Sequence, residues 1–446
     1  MTQTVRKLCL YVAGVTLVLF VLGLAGANSG IWQPAAVVCV VGLAIGFGAI
    51  PWLRSYQFTA WIVCAVTVAM IYPDAFLRWG KFDLRSRWLI TFVVQTVMFG
   101  MGTQMKLRDF AGIARMPWAV FVGVLGQFTI MPLVGYTLTK LFRFEPEIAA
   151  GIILIGSCSA GLASNVMAYL ARANLALSIT MTSVTTLLAP VMTPLWMKVL
   201  AGQLVEVRFV SMMLEIIKIV IVPVGAALLH DYLKSAPAQT RRLVHGISVA
   251  GLIWFAAMIA AARGLILSNG PAAISMTFEL VSLAFGAVLA GTVYHRLTLL
   301  WPRLPQFMPF ASMVGIVYFT TVTTAAGRDN LLKIGVLLFF AAMIHNAAGY
   351  ILGYGLSRIC GLDINSGRAV AFEVGMQNGG MASGIAGALG KLGTMGLAPA
   401  IFSPWMNISG SLLANYWRRK HAQASKPGEK ILRPGEESPV AEVSGT

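Results

Sequence analysis

Fourteen apolar stretches follow one another through this chain with only short polar breaks between them, and no other feature limits the possible folds as strongly. They lie near residues 8–26, 32–53, 57–73, 88–104, 117–139, 148–171, 174–198, 209–230, 246–267, 273–294, 307–326, 333–357, 366–388 and 397–417. Most approach the roughly 20 residues that a helix needs to cross a bilayer. In hydrocarbon such a segment must satisfy its own backbone groups, so it forms a helix or joins a closed barrel, and no period-2 alternation supports a barrel. The expected fold is an all-α polytopic membrane protein. Its composition agrees, with 58% hydrophobic and 11% charged residues and a mean hydropathy of +0.78, far from soluble domains.

The net charge of +17 does not mark a nucleic-acid binder, because the Lys and Arg residues sit between apolar stretches and in the tail rather than on one soluble face. They report orientation instead. With the N-terminus inside, Arg54, Lys106, Arg108, Arg115, Arg172, Lys234, Arg241, Arg242, Arg296, Arg303, Arg358, Arg368 and Arg418–Lys420 all face the cytoplasm, as do both termini. The loop with Arg78, Lys81, Arg85 and Arg87 breaks this trend. The expected location is the cell (inner) membrane. Five cysteines lie within or beside apolar runs without metal-ligand spacing, so no disulfide framework is read. Arg6-Lys7, an apolar run and Ala25-Gly26-Ala27 are reminiscent of a secretory signal, but the run has the length of a span and is read as a retained helix. Beyond Lys420 the polar, aperiodic sequence predicts a disordered cytoplasmic tail.

Two stretches contradict their apolar surroundings. One is Phe372-Glu373-Val374-Gly375-Met376-Gln377-Asn378-Gly379-Gly380; the other is Gly156-Ser157-Cys158-Ser159-Ala160-Gly161-Leu162-Ala163-Ser164-Asn165. An ionised carboxylate in hydrocarbon costs at least about 2.5 kcal/mol, so Glu373 requires a reason to be there. Small polar residues also serve helix packing, but packing does not require a carboxylate. Glycine-rich polar interruptions, one in each half of the chain, point to helices that break at membrane depth around the midplane site of a secondary transporter. Carboxylate, carboxamide, hydroxyl and freed carbonyl oxygens suit a hard cation such as sodium. The positive ends of the resumed half-helices suit an organic anion. Gln127 lies before Met131-Pro132, and Ser178 and Thr182 share one helix face; each has a plain packing alternative. His345 reads as a satisfied core histidine, and Glu215 and Lys218 are spaced to pair locally. An internal echo links Ser248–Gly264 to Ser312–Arg328, either as related helices or by chance.

These motifs resemble the bile acid:sodium symporter family. The resemblance is carried by Glu373-Val374-Gly375-Met376-Gln377-Asn378, by Asn407-Ile408-Ser409-Gly410-Ser411-Leu412-Leu413-Ala414 with Tyr416-Trp417, and by Ala163-Ser164-Asn165-Val166-Met167. Gln127-Phe128, Ile130-Met131-Pro132 and Met98-Phe99-Gly100-Met101-Gly102 match as well. It covers roughly residues 57–270 and 330–420. It implies a ten-helix core of two inverted repeats, divided into panel and core domains, with two broken helices crossing at the midplane. One sodium site falls by motif on Ser164, Asn165, Ser178, Thr182 and Glu373. A second falls on Gln127, Glu373, Val374, Met376 and Gln377, with Val374 and Met376 offering main-chain oxygens. The substrate region falls on Leu162, Asn378, Met406 and Asn407.

This chain departs from the family where members often carry two glycines and a threonine (Ala160, Gly161 and Leu162 here) and a histidine (Met406 here), which predicts a more apolar pocket wall. Four helices exceed the family's ten. The expected organisation is an added helix pair in 1–56, a first core part in 57–231, a core helix with an inserted pair in 232–330, a last core part in 331–420 and the tail in 421–446. The inserted pair lies either between about 273 and 330 or between 246 and 300. The expected function is sodium-coupled symport of a bile-acid-like or small carboxylate anion, with sodium as coupling ion and the bilayer and that anion as partners. Proton coupling on the same fold, or a sensor that no longer transports, are the alternatives. No motif of an enzyme is present. Neither the anion's identity nor the oligomeric state is legible in the sequence.

Overall fold

A computed structural model describes residues 2–51, 53–263 and 272–424, and every one of the fourteen apolar stretches holds helix among those residues. Helices α1 (Gln3–Ala25) and α2 (Ser29–Gly46) form a hairpin whose second arm packs on α3 (Gln57–Ile71). A two-stranded turn, β1 (Arg78–Trp79) with β2 (Phe82–Asp83), leads to α4 (Arg87–Gly102). Next come α5 (Pro117–Phe142), α6 (Pro146–Ser157), α7 (Ala163–Leu170) and α8 (Leu175–Trp196). The remainder is α9 (Phe209–Ser235), α10 (Ala238–Arg263), α11 (Ala272–Leu300), α12 (Leu304–Ala326), α13 (Arg328–Ile359), α14 (Ile364–Gly375), α15 (Gly379–Ala388) and α16 (Leu397–Ala424).

Among the described residues nine helices are long and apolar enough to cross a membrane. The α6/α7 and α14/α15 pairs are each two halves of one interrupted span. Their boundaries follow local chemistry. Pro117 and Pro146 occupy first-turn positions, where a missing N–H removes no helical bond. Asn174 caps α8 by accepting from Leu177 N at 3.1 Å, and Asp363 caps α14 by accepting from the Asn365 and Ser366 N–H groups.

The helices gather into two bundles. In one, α12 packs on α3 and α4, and α4 on α9; in the other, α5 to α8 pack with α13 to α16. Once α1, α2, α10 and α11 are set aside, each half of the chain thus runs through two helices, a long helix, a broken pair and a further helix. Five crossings reverse the direction in which the second set enters the membrane, so this order is that of an inverted repeat.

Packing separates the two placements of the inserted pair. Helix α12 is 44% buried over its apolar window and sits inside the first bundle, whereas α10 and α11 are 17% and 11% buried and pack on each other, with α11 also on α9. This packing is the one expected of the more N-terminal placement, with α10 and α11 as the added pair. The two echoing segments consequently meet different neighbours, Ser312 bonding Val97 O and Ser248 bonding Thr292. The local pairing of Glu215 with Lys218 is corrected: Glu215 meets Arg87 at 2.5 Å, and the Lys218 carbonyl accepts from Gln95. In the exceptional basic loop, the Arg85 side chain and N–H beside Asp83 hold its carboxyl below the usual range. Helix α16 runs through Ala424, so the start of the predicted tail is helical; residues 425–446 lie outside those described.

Candidate cation site at the crossing of two broken helices

Helix α6 ends at Ser157 and the chain turns extended at Cys158, with φ −77° and ψ 166°. Helix α14 ends at Gly375 and Met376 is likewise extended, with φ −109° and ψ 105°. The two extended segments meet as an antiparallel bridge between Ala160 and Gln377. Gly161 N donates to Met376 O at 3.1 Å, and Asn378 N donates to Ser159 O at 2.8 Å. Each break thereby satisfies backbone groups of the other, which unwound chain at membrane depth must do. Gly161 is required by this approach, since a Cβ there would lie 2.8 Å from Gln377 O. At Gly349 of α13 a Cβ would lie 2.7 Å from the Gly375 Cα, so α13 too depends on a missing side chain to reach the break.

Side chains of neighbouring helices and of the second break itself take up the freed carbonyls. Thr193 donates to Ser157 O at 2.8 Å, Gln127 Nε2 to Cys158 O at 2.9 Å and Gln377 Nε2 to Val374 O at 2.7 Å. Asn346 Nδ2 donates to Gly375 O at 2.8 Å, and its Oδ1 accepts from Ser409 at 2.6 Å. The roles of Asn346 and Thr193 escaped the sequence reading; an amide inside an apolar run, the signal that exposed Gln127, also marks Asn346. His345 is a satisfied core group, with Nε2 2.9 Å from Met131 O.

Glu373 is fully buried on the last turn of α14. Its Oε1 accepts from Ser164 Oγ at 2.5 Å and Ser178 Oγ at 2.6 Å, and its Oε2 accepts from Thr182 Oγ1 at 2.8 Å. The Oδ1 of Asn165 lies 2.8 Å from Ser178 Oγ and 3.3 Å from Thr182 Oγ1. Two carboxylate oxygens, three hydroxyls and one carboxamide oxygen thus converge from α7, α8 and α14. Among the described residues no Lys, Arg or His forms an ion pair with Glu373. Arg368 on the same helix lies instead over the Trp417 ring, 5.8 Å from its centroid. A buried carboxylate with hydroxyl donors but no cationic side chain is a position of high energy in the absence of a counter-charge.

A second group adjoins it. Gln127 Nε2 donates to Gln377 Oε1 at 2.8 Å, while Gln127 Oε1 is buried without a hydrogen-bond partner. The Val374 and Met376 carbonyls each accept one bond, from Gln377 Nε2 and Gly161 N, which leaves each a second lone pair. Metal-binding clusters of three or more His, Cys, Asp or Glu are absent among the described residues. The donor set is accordingly one of hard oxygens from hydroxyl, amide and carbonyl groups around one carboxylate.

The four residues of the substrate region have separate partners. Leu162 lines a cavity of about 110 Å³ beside Asn165, Thr182, Gln104 and Met105. Asn378 caps α15, its Oδ1 accepting from Met381 N at 3.0 Å. Asn407 Nδ2 donates to Ser403 O of its own helix, and Met406 is buried with its carbonyl 3.3 Å from Tyr350 Oη. A brace missed from sequence ties α6 to the loop after α15: Glu147 pairs with Lys391 and accepts from Thr394 at 2.6 Å.

Two crossed, interrupted helices in a multi-pass helical bundle, with buried oxygens converging where they meet, define a membrane transporter rather than an enzyme. The chain belongs to the sodium bile acid symporter family. The sequence model of that family matches residues 91–269. The uncharacterized sodium-dependent transporter YocS of Bacillus subtilis is 32% identical over 364 residues, covering 81% of this chain and 91% of that protein. The probable sodium/metabolite cotransporter BASS1 of Arabidopsis thaliana is 29% identical, covering 82% and 74%. The ileal sodium/bile acid cotransporter of Homo sapiens is 27% identical, covering 65% and 66%. Among solved structures, a sodium proton antiporter from Methanocaldococcus jannaschii aligns over 87% of this chain and 99% of that one, at 11% identity and a TM-score of 0.48, a likeness too slight to bear on function.

Proposed function

We propose that this transporter couples sodium to the symport of a small organic anion across the cell membrane by alternating access. The observation that carries the reading is Glu373: a buried carboxylate, ringed by three hydroxyls, with no cationic side chain paired to it among the described residues. A sodium ion supplies the missing charge. In this reading Ser164, Asn165, Ser178, Thr182 and Glu373 hold one ion. Gln127, Glu373, Gln377 and the carbonyls of Val374 and Met376 hold a second, and the unpartnered Gln127 Oε1 supports it. The bundle of α3, α4, α9 and α12 is the panel, and the bundle carrying both breaks is the core that moves against it.

The anion's place is the region of Leu162, Asn378, Met406 and Asn407, next to the starts of α7 and α15, whose N-terminal dipoles favour negative charge. Asn378 Oδ1 is committed to the cap, so its Nδ2 donors are the groups left to meet a carboxylate. Leu162 and Met406 favour an anion with an apolar body. In this reading fourteen crossings leave both ends of the chain on one side, and the distribution of Lys and Arg supports the cytoplasm as that side.

The test is uptake of labelled steroid conjugates, hydroxy acids and keto acids by proteoliposomes, with sodium replaced by choline at fixed pH. Uptake that requires sodium is the expected result. Uptake unaffected by choline but driven by a pH gradient would replace sodium by the proton.

A further inference from the structure

Away from the crossing, the ends of α9, α10 and α11 enclose a cavity of about 300 Å³ lined by Arg241, Arg242, His245, Thr292, His295 and Arg296. None of these arginines pairs with a carboxylate among the described residues; the acidic group nearby in sequence, Asp231, is 3.4 Å from Lys234. Arg241 donates to the Ala236 and Lys234 carbonyls at the end of α9, and Arg296 meets His245. A guanidinium has five N–H donors, so both keep several to offer. Three uncompensated guanidinium groups around one cavity form a site for a phosphate.

The surroundings identify where that phosphate comes from. Leu243, Leu297, Leu299 and Leu300 are exposed beside the cavity, an apolar skirt that a soluble anion would not need and that acyl chains would cover. Tyr232 and Trp301 are exposed at the same ends of α9 and α11, as amphipathic rings are at the level of lipid headgroups. In the orientation proposed above these ends lie on the cytoplasmic side, where basic pockets between membrane helices meet anionic headgroups. We propose that this pocket binds the phosphate headgroup of an anionic membrane lipid. The lipid fastens α10 and α11 to α9, against which α11 already packs so closely that a Cβ on Gly291 would lie 2.6 Å from Ala226 O. The added helix pair is on this account a lipid anchor for the bundle that contains α9.

The experiment uses the purified full-length protein in neutral detergent, with phosphatidylglycerol, phosphatidylcholine or inorganic phosphate added. Melting temperature and lipid retention by native mass spectrometry are read together. Phosphatidylglycerol is expected to raise the melting temperature and remain bound; phosphatidylcholine and inorganic phosphate are not. Arg241→Gln/Arg242→Gln/Arg296→Gln is expected to weaken phosphatidylglycerol binding by about 100-fold, each basic residue near a charged bilayer surface contributing a similar share. Should that variant not fold, Arg242→Gln alone, at an exposed side chain, is expected to weaken retention by about fivefold. Equal stabilisation by phosphatidylcholine, full stabilisation by inorganic phosphate alone, or unchanged retention in a folded variant would each overturn the assignment.

Discussion

At the first break, between α6 and α7, the chain contributes hydroxyls and a backbone strand; at the second, between α14 and α15, it contributes a carboxylate and carboxamides. Both leave the helix through an extended residue, Cys158 in one and Met376 in the other, and each bonds to the other's backbone. Their contents differ in charge and in capping. Asn378 caps the resumed helix at the second break, whereas Leu162, at the cap position of α7, offers no side-chain cap. All the formal negative charge of the crossing thus sits on one strand, and the other strand provides neutral donors that turn toward it. On the proposed reading, a cation entering here would meet a ready-made charge on α14, and hydroxyls from α7 and α8 that could exchange a hydrogen bond for a metal contact by rotating.

The comparison can be broken most severely at its charged member. Removing outer partners of a metal site already costs about 10- to 100-fold in affinity, so loss of the shared carboxylate in Glu373→Ala is expected to exceed that and to abolish sodium-dependent uptake in folded protein. Gln127→Ala removes the unpartnered oxygen and the donor to Gln377, and is expected to lower the number of sodium ions bound from two to one, read by equilibrium dialysis. Gly161→Ala forces a Cβ against Gln377 O and is expected to destabilise the crossing by about 1–3 kcal/mol, seen as a lower melting temperature with or without sodium.

The smallest effects concern the caps. Asn378→Ala is expected to cost about 1 kcal/mol of stability, the usual value of a lost cap. Leu162→Thr offers a cap to α7, but Leu162 has helical angles, φ −57° and ψ −20°, so the gain is expected to stay below about 0.5 kcal/mol. A larger gain from Leu162→Thr than loss from Asn378→Ala would show that the two starts are not built as described.

Much of this was legible because hydrophobicity makes polar exceptions visible. Glu373, Gln127 and the Ser164-Asn165 pair stood out as polar groups in apolar runs; the structure bonds Glu373 to Ser164 directly and links it to Asn165 through Ser178 and Thr182, while Gln127 pairs with Gln377 in a separate group. What sequence spacing could not convey was partnership across the fold. Glu215 has a cation three residues away but pairs with Arg87 across 128 positions, because α4 and α9 pack side by side. Glu147 and Lys391 are 244 apart, one on each broken unit. The inserted pair was ambiguous for a related reason: α10 and α12 carry similar sequences, and only packing shows that α12 lies among α3 and α4 while α10 lies outside.

The central claim is that an ion compensates the buried charge of Glu373, and binding of radioactive sodium to purified protein at fixed pH tests it most directly. Wild type is expected to show saturable binding that choline does not displace, and Glu373→Ala to show none while keeping a monodisperse, cooperatively melting fold. Saturable sodium binding of undiminished affinity in folded Glu373→Ala would contradict the account.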